Sequence, residues 1–598
     1  MSDESKSKIS RRRFVAGTVA GVAVGAALGV TGGYLARGNA TTTTTDTSTQ
    51  TTTLPAVTST LTQTTTVQPW LPAKWDYTAD VVVVGYGGAG AVAAISAHDA
   101  GANVLVLEKS PPVANRVNTY GGNTYAISGG GGNTCICGGG LWSCDSADSF
   151  AQALYQLSWG STPLDVCQAF ANVDANLVSW CGSMNIPVSP TEGPGWYTNI
   201  DTGTYKSMIM PGGGAQLFSL LDAQVQKRNI TVMLGTPATG LIQNPTTMEI
   251  LGVEATNLAT NAALNIKANK AVVLCTGGFE FNETMKLNYL KAYPTNFWGW
   301  NYNTGDGITM AAKVGAGMWH MNCVSAALSP WIPSNPSPSS YPFLYPGASS
   351  WIWVNKHGVR YANEYPPPLA IDTFYPYLTD FDTSVPEYTR IPSFMIFDST
   401  VMQAGALVVP WGVHQLPAAL GSNPTWSSDN STELAKGWIQ TGATIADLAS
   451  AINGLSPFAG IHPSLNSSNN TGPANSIAID IDPNVLTETV NTYNGYCTSS
   501  PPKDLQFGRP ALNLVPIQKA PFYAVAMWPA GPNTQGGPIR NAKGQVCTSE
   551  GNAIPRLYSN GELGSVWGLL YHGAGNITEC LCYGQISGQN AAAETSWS

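Results

Sequence analysis

The sequence predicts an α/β protein in which a Rossmann-like nucleotide-binding domain, discontinuous in the chain, carries an inserted α+β capping domain. Three observations predict this. The stretch "ADVVVVGYGGAGAVAAISAHDAGANVLVLEKS" (residues 79–110) reads as a buried strand, a glycine turn, a small-residue helix and a second strand ending in an acid. Strand and helix patterns alternate over residues 76–295, and strand signals ("PFYAVAMWPA") with a closing helix return over 515–598. Between them, 296–514 carries Pro-, Ser- and Asn-rich loops such as "PSNPSPSS" and "SLNSSNNTGPANS", as expected of a separate cap. With 598 residues, 43% of them hydrophobic, the chain can bury a core of that size.

In chain order, residues 1–40 come first. "SRRRFVAG" (Ser10–Gly17), preceded by Lys6 and Lys8 and followed by a weakly hydrophobic run, reads as a twin-arginine export signal. The run spans about 22 residues, long enough to cross a bilayer, and no clean cleavage site follows, so signal and N-terminal anchor both stay open. Either reading expects an extracytoplasmic protein. Residues 41–74 form a Thr-rich linker whose composition cannot build a core. Asn-x-Ser/Thr triplets at Asn229, Asn430, Asn466 and Asn469 are compatible with an outside location. Only 11% of residues are charged, and the net charge is −9. No Lys/Arg cluster follows Arg13, which excludes a nucleic-acid surface.

The nucleotide domain opens at 75–295. Gly85 permits the tight turn, Gly87 lets the backbone approach a pyrophosphate, and Gly90 allows close packing of helix on strand. Gly88 and Ala89 complete the turn. Glu108, 23 residues after Gly85, stands where a carboxylate accepts ribose hydroxyls, with Lys109 beside it. Two near-copies of one segment follow, "GGNTYAISGGG" from Gly121 and "GGNTCICGGG" from Gly131, leaving Thr124 and Thr134 as equal candidates. The 11 cysteines fit no zinc, iron–sulfur or haem spacing, so no metal site is expected.

Three further stretches carry a resemblance: "KAVVLCTGGFEFN" (270–282), "NTGDGITMAAKVGA" (303–316) and "IPRLYSNGELGS" (554–565). With the glycine turn they resemble the FAD-binding domain of fumarate reductase flavoproteins, urocanate reductases and 3-ketosteroid dehydrogenases, over roughly residues 78–598. The resemblance implies FAD, with Thr276 and Gly277 beside the adenosine half, Asp306 approaching the flavin and Glu562 holding cofactor hydroxyls. It further implies that the final helix, with Asn576 and Ile577 at its start, aims N–H groups at the ring. No histidine follows Glu108 where some relatives attach FAD, so non-covalent binding is expected.

At the substrate positions implied by the same resemblance, the chain departs from the acid reductases. Where the acid reductases carry a substrate arginine, this chain has Tyr571; for their histidine it has Asn533; and for their proton-donating arginine "RYANEYPPP" supplies Pro368. Tyr571 and Gly575, in "LLYHGAGNI", match instead the 3-ketosteroid dehydrogenase pattern, in which a tyrosine hydroxyl and a glycine N–H hold the ketone oxygen. Two such donors suit an enolate. That family's catalytic tyrosine has no counterpart at Pro368. Tyr365 is the nearest stand-in, with Tyr341, Tyr345, Tyr375 and Tyr377 in the same region, and His572 is read as packing. The expected activity is thus FAD-dependent dehydrogenation next to an apolar ketone, or its reversal on an enone, with an unknown electron acceptor. The alternatives are a fumarate- or urocanate-type reductase and a non-catalytic flavin-carrying surface protein.

Overall fold

The computed structural model describes residues 70–113, 116–120, 123–190, 205–331, 344, 346–365, 375–408, 426–456, 477–571 and 573–597, with the backbone of 47–54 and 57–64. The twin-arginine segment, Pro368, His572, Tyr341, Tyr345, Asn466 and Asn469 lie outside the described residues. Among the described residues no helix is long and apolar enough to cross a membrane.

The chain divides into Met1–Ala73 and Lys74–Ser598. In the first unit part of the Thr-rich linker forms an antiparallel hairpin of Thr47–Leu54 with Val57–Thr64. Threonine's branched β-carbon favours the extended backbone even where no core is available.

In the second unit the labelled elements are β1 (Tyr77–Val84), α1 (Gly88–Asp99), β2 (Val104–Leu107), β3 (Thr231–Met233), β4 (Ala238–Gln243), β5 (Ile250–Asn257), β6 (Ala262–Leu274), α2 (Asp306–Lys313), β7 (Val324–Pro330), β8 (Trp351–Val354), β9 (Ser393–Asp398), β10 (Ile439–Gly442), β11 (Phe522–Thr534), β12 (Ala553–Ser559) and α3 (Gly575–Ala593). The first sheet runs β3–β2–β1–β6 in parallel. The long strand β6 then pairs antiparallel with β5 along its first half and parallel with β12 along its second, while β4 pairs with β5.

The run Val81–Val84 is apolar at every position because both sheet faces are covered. Val81 and Val83 face a core shared with α1 and α3, whereas Val82 and Val84 face a core continuous with the cap. Each buried valine contributes roughly 1.5–3 kcal/mol. Helix α1 is built from small residues because α3 lies against it.

The cap is a second sheet whose central strand is β11, paired antiparallel with β7, β9 and β10, with β8 beyond β9. The chain therefore does not return to the nucleotide sheet at residue 515 as expected. β11, which contains "PFYAVAMWPA", belongs to the cap sheet, and the return comes with β12. Nearly every residue of β11 is buried, so its composition announces a strand without saying in which sheet.

Two surface expectations also change. Asn430 is fully buried, and its carboxamide bonds Leu407 N, the Trp426 indole and the carbonyls of Met402 and Gly405, so this triplet is structural and closed to glycosylation. Asn229 is exposed. All 11 cysteines are free thiols, none of them exposed.

Candidate functional site

Strand β1 delivers the chain into a turn that runs beneath the end of β6. Gly85 adopts φ +103°, and a side chain there would overlap the Cys275 carbonyl; one at Gly90 would overlap the carbonyl of Gly85. Glycine is required at both places by backbone clearance. The amide of Tyr86 donates to Glu108 Oε2 and that of Ser110 to Glu108 Oε1, each at 2.7 Å. The acid that ends β2 is thereby fixed beside the turn.

A cavity of about 340 Å³ opens here. Its wall takes Gly85, Gly87, Gly88 and Ala89 from the turn and Glu108 and Lys109 from the end of β2. Thr276, Gly277, Asp306 and Glu562 join from the ends of β6, α2 and β12. Gly90 stays behind the wall in its packing role. Asp306 stands beside Lys109, whose Nζ donates to it at 2.8 Å and to Thr304 Oγ1 at 2.5 Å. This carboxylate, expected to approach the flavin, is held at the end of β2, in the first turn of α2 where the helix dipole favours an acid.

The two repeated segments separate cleanly. Thr134 is buried on the cavity wall, and its Oγ1 accepts the Gly88 N–H at 3.1 Å. Gly131, in the same copy, donates to the Tyr86 carbonyl and bridges Gly87. Thr124 instead sits exposed on the antiparallel hairpin Val117–Tyr120/Asn123–Ala126, off the wall. The second copy is the one that lies against the glycine turn.

The wall also carries five aromatic residues: Trp142 and Tyr571 beside the segment that opens α3, Trp298 and Trp300 on one segment, and Tyr302, whose carbonyl accepts from Lys109 Nζ at 3.4 Å. The Tyr571 ring stands edge-on to Trp567 at 5.9 Å. Gly573, Ala574, Asn576 and Ile577 continue the wall into the first turn of α3, whose N-cap Ala574 (φ +72°) offers no side-chain cap to the helix N–H groups. Gly575 is the first residue of that helix but is not on the wall; a side chain there would overlap the Trp567 indole. Asn533 lines the cavity, with its amide turned to the Thr534 carbonyl at 2.9 Å.

The expected stand-in base does not reach this site. Tyr365 is 37% exposed and off the wall. Tyr375 is buried in the cap with its hydroxyl against Thr295 and Ala292, and Tyr377 is on the surface. The wall phenols are Tyr86, Tyr302 and Tyr571, of which Tyr86 donates to Asp222 at 2.6 Å.

Among the described residues no arginine lines the cavity. Beyond Arg37 the sequence has seven, all among the described residues and all committed elsewhere. Arg116 donates to the Gly130 carbonyl and stacks over Trp300, and Arg390 donates to the Tyr377 carbonyl. Arg228 pairs with Asp99, Arg360 and Arg509 with Glu364, Arg540 with Glu579 and Arg556 with Glu249. Lys109 is the only cationic side chain on the wall among the described residues, and Asp306 neutralises it.

The wall fits a large polar cofactor. Thr276 Oγ1 and Asn576 Oδ1 are buried there without a hydrogen-bond partner, a cost that a ligand with hydroxyl and amide groups removes. Thr276, Glu108 and Glu562 would hold its hydroxyl groups, and the turn and the start of α3 would supply N–H donors. Among the described residues no cluster could hold a metal ion.

The family of the FAD binding domain matches residues 80–577, and the chain belongs to that family. The chain is 27% identical to the urocanate reductase of Eggerthella lenta, over 88% of this chain and 76% of that protein. It is also 27% identical to the 3-oxosteroid 1-dehydrogenase of Mycolicibacterium smegmatis, over 64% of this chain and 63% of that protein. In fold it is similar to the 3-ketosteroid Δ1-dehydrogenase of Sterolibacterium denitrificans, with a TM-score of 0.67 and 20% identity over 86% of this chain and 99% of that one. The protein is an FAD-dependent oxidoreductase, related to reductases and dehydrogenases alike.

Proposed function

From membership of that family, we propose that the protein acts on a carbon–carbon bond next to an uncharged carbonyl, as a 3-ketosteroid dehydrogenase does, or runs the same change backwards on an enone. The observation that carries this reading is the aromatic part of the cavity wall, with Tyr571 in it and all seven arginines beyond Arg37 engaged elsewhere. A dicarboxylate needs cationic, preferably bidentate, partners when it leaves water. A ketone needs only hydrogen-bond donors. Tyr571 would donate to the carbonyl oxygen, joined by the N–H groups that open α3, Gly575 included. These donors stabilise negative charge that develops on that oxygen, each worth about 3 kcal/mol in comparable sites. The tryptophans hold a flat apolar ring by area burial and exclude water. When bound, FAD supplies the two-electron acceptor for the hydrogen that leaves the next carbon.

Purified holoprotein given a steroid ketone and enone panel, a panel of unsaturated acids including fumarate and urocanate, and artificial electron carriers tests the reading. Turnover confined to the ketones or enones is expected. Turnover confined to the acids replaces it with an acid reductase, and turnover of neither with an electron carrier. We also infer export by the twin-arginine route from "SRRRFVAG"; replacing Arg11–Arg13 by lysines is expected to keep the protein inside the cell.

A further inference from the structure

Glu562 is not alone behind the cavity wall. Glu280, which follows β6 in "TGGFE", is fully buried against it, and the two carboxyl groups converge on Gly278, where a side-chain carbon would stand 2.5 Å from Glu562 Oε1 and 3.0 Å from Glu280 Oε2. Each is anchored at one oxygen: Asn133 Nδ2 donates to Glu562 Oε2 at 2.8 Å, and the Thr534 amide donates to Glu280 Oε1 at 3.0 Å. The remaining oxygens, Glu562 Oε1 and Glu280 Oε2, are buried and receive no donor. Both crowd the same face of Gly278, where a side-chain carbon would touch both. Two carboxylates cannot bond each other, since neither carries a hydrogen. One proton between the facing oxygens satisfies both and leaves the pair with a single negative charge.

We propose that Glu280 is a positioning residue for the cofactor, sharing one proton with Glu562 and thereby fixing the Glu562 carboxyl at the cavity wall. The pair joins the Gly131–Thr134 loop, the end of β6, β11 and the turn after β12, so it also ties the cap strand to the nucleotide sheet. Burial, then mutual repulsion, hold Glu562 well above the ordinary carboxylate range, and burial raises Glu280 as well. Few other titratable groups face the pair among the described residues. Cys580 is a thiol that burial pushes up to about 12, and Lys286 is buried and paired with Glu283 at 2.7 Å. Asn133, Asn303 and Thr534 are neutral.

The sign follows from linkage. In the unfolded chain both acids ionise near pH 4–4.5, whereas the folded pair keeps a proton above that. Its contribution is complete below the ordinary range and is lost as pH rises through the pair's own proton release. Cofactor retention should fall over the same alkaline limb.

The test uses full-length holoprotein, bound flavin per chain across pH, and the infrared carbonyl band of a protonated carboxyl. Glu280→Gln keeps the geometry, since its amide can donate to Glu562 while its carbonyl accepts from Thr534. It is expected to hold FAD within about threefold of the wild type, to lose the alkaline release and to lose the band. Glu280→Leu, which strands the Glu562 oxygen, is expected to weaken FAD by about tenfold or more. If the leucine variant fails to fold, Glu280→Gln alone decides. The proposal is overturned if Glu280→Gln releases FAD with rising pH as the wild type does, if the wild type shows no band that this variant lacks, or if Glu280→Leu binds FAD as tightly as Glu280→Gln.

Discussion

The two ends of the cavity are built from different materials. At the glycine turn the wall is mostly backbone: Gly85–Gly88, the Gly87–Gly131 bridge, and amides that grip Glu108. Toward the start of α3 it is side chain, with Trp142, the Trp298/Trp300 pair and Tyr571 drawn from three segments. Steric clearance fixes residue identity at the first end. At the second, identity is free to follow substrate chemistry, so relatives sharing the first end can differ in what they act on.

The largest effect is expected where clearance is least. Gly90→Ala would drive a methyl group into the carbonyl of Gly85, and backbone meeting backbone leaves nothing flexible to move aside. We expect loss of bound flavin and destabilisation of about 3 kcal/mol, read from flavin absorbance per chain and chemical unfolding. If Gly90→Ala keeps its flavin, clearance does not set the first end and the contrast fails.

The same contrast explains what the sequence makes legible. The Val81–Val84 run, the glycine spacing and Glu108 could be read because local backbone geometry demands those residue types at those intervals. The choice between Thr124 and Thr134 could not be read, because the copies match locally and differ only in which one lies against Gly88. Glu280 stands in the distinctive stretch 270–282, yet its role is not legible there, because its partners Glu562 and Thr534 arrive from distant segments, the latter 254 residues away. β11 was a recognisable strand, but its sheet is decided by β7, β9 and β10. The commitment of every arginine outside the cavity needed three dimensions.

At the side-chain end the expected effect is on turnover with binding of the cofactor preserved. Tyr571→Phe removes one hydroxyl donor and keeps the ring against Trp567, so kcat on a ketone should fall about 10²–10³-fold. Flavin content should stay at the wild-type level. If flavin is lost along with activity, Tyr571 belongs to the cofactor's shell and the two ends are not separable. Tyr365→Phe should change kcat less than about twofold, since the side chain is 37% exposed and off the wall.

The sharpest test of the division is a matched pair of the same substitution in the two repeated segments. Thr134→Val is nearly isosteric, yet it leaves the buried Gly88 N–H without its acceptor. Stranding a buried amide costs about 1–3 kcal/mol, so FAD titrated into apoprotein should bind about tenfold more weakly. Thr124→Val changes an exposed hairpin position and should alter stability and FAD affinity by less than about 0.5 kcal/mol. Equal losses from both would mean that the first copy also reaches the cofactor. No loss from either would mean that the turn holds its shape through glycine alone, which would narrow the backbone end to Gly85–Gly90 and assign the second copy to carrying Asn133 toward Glu562.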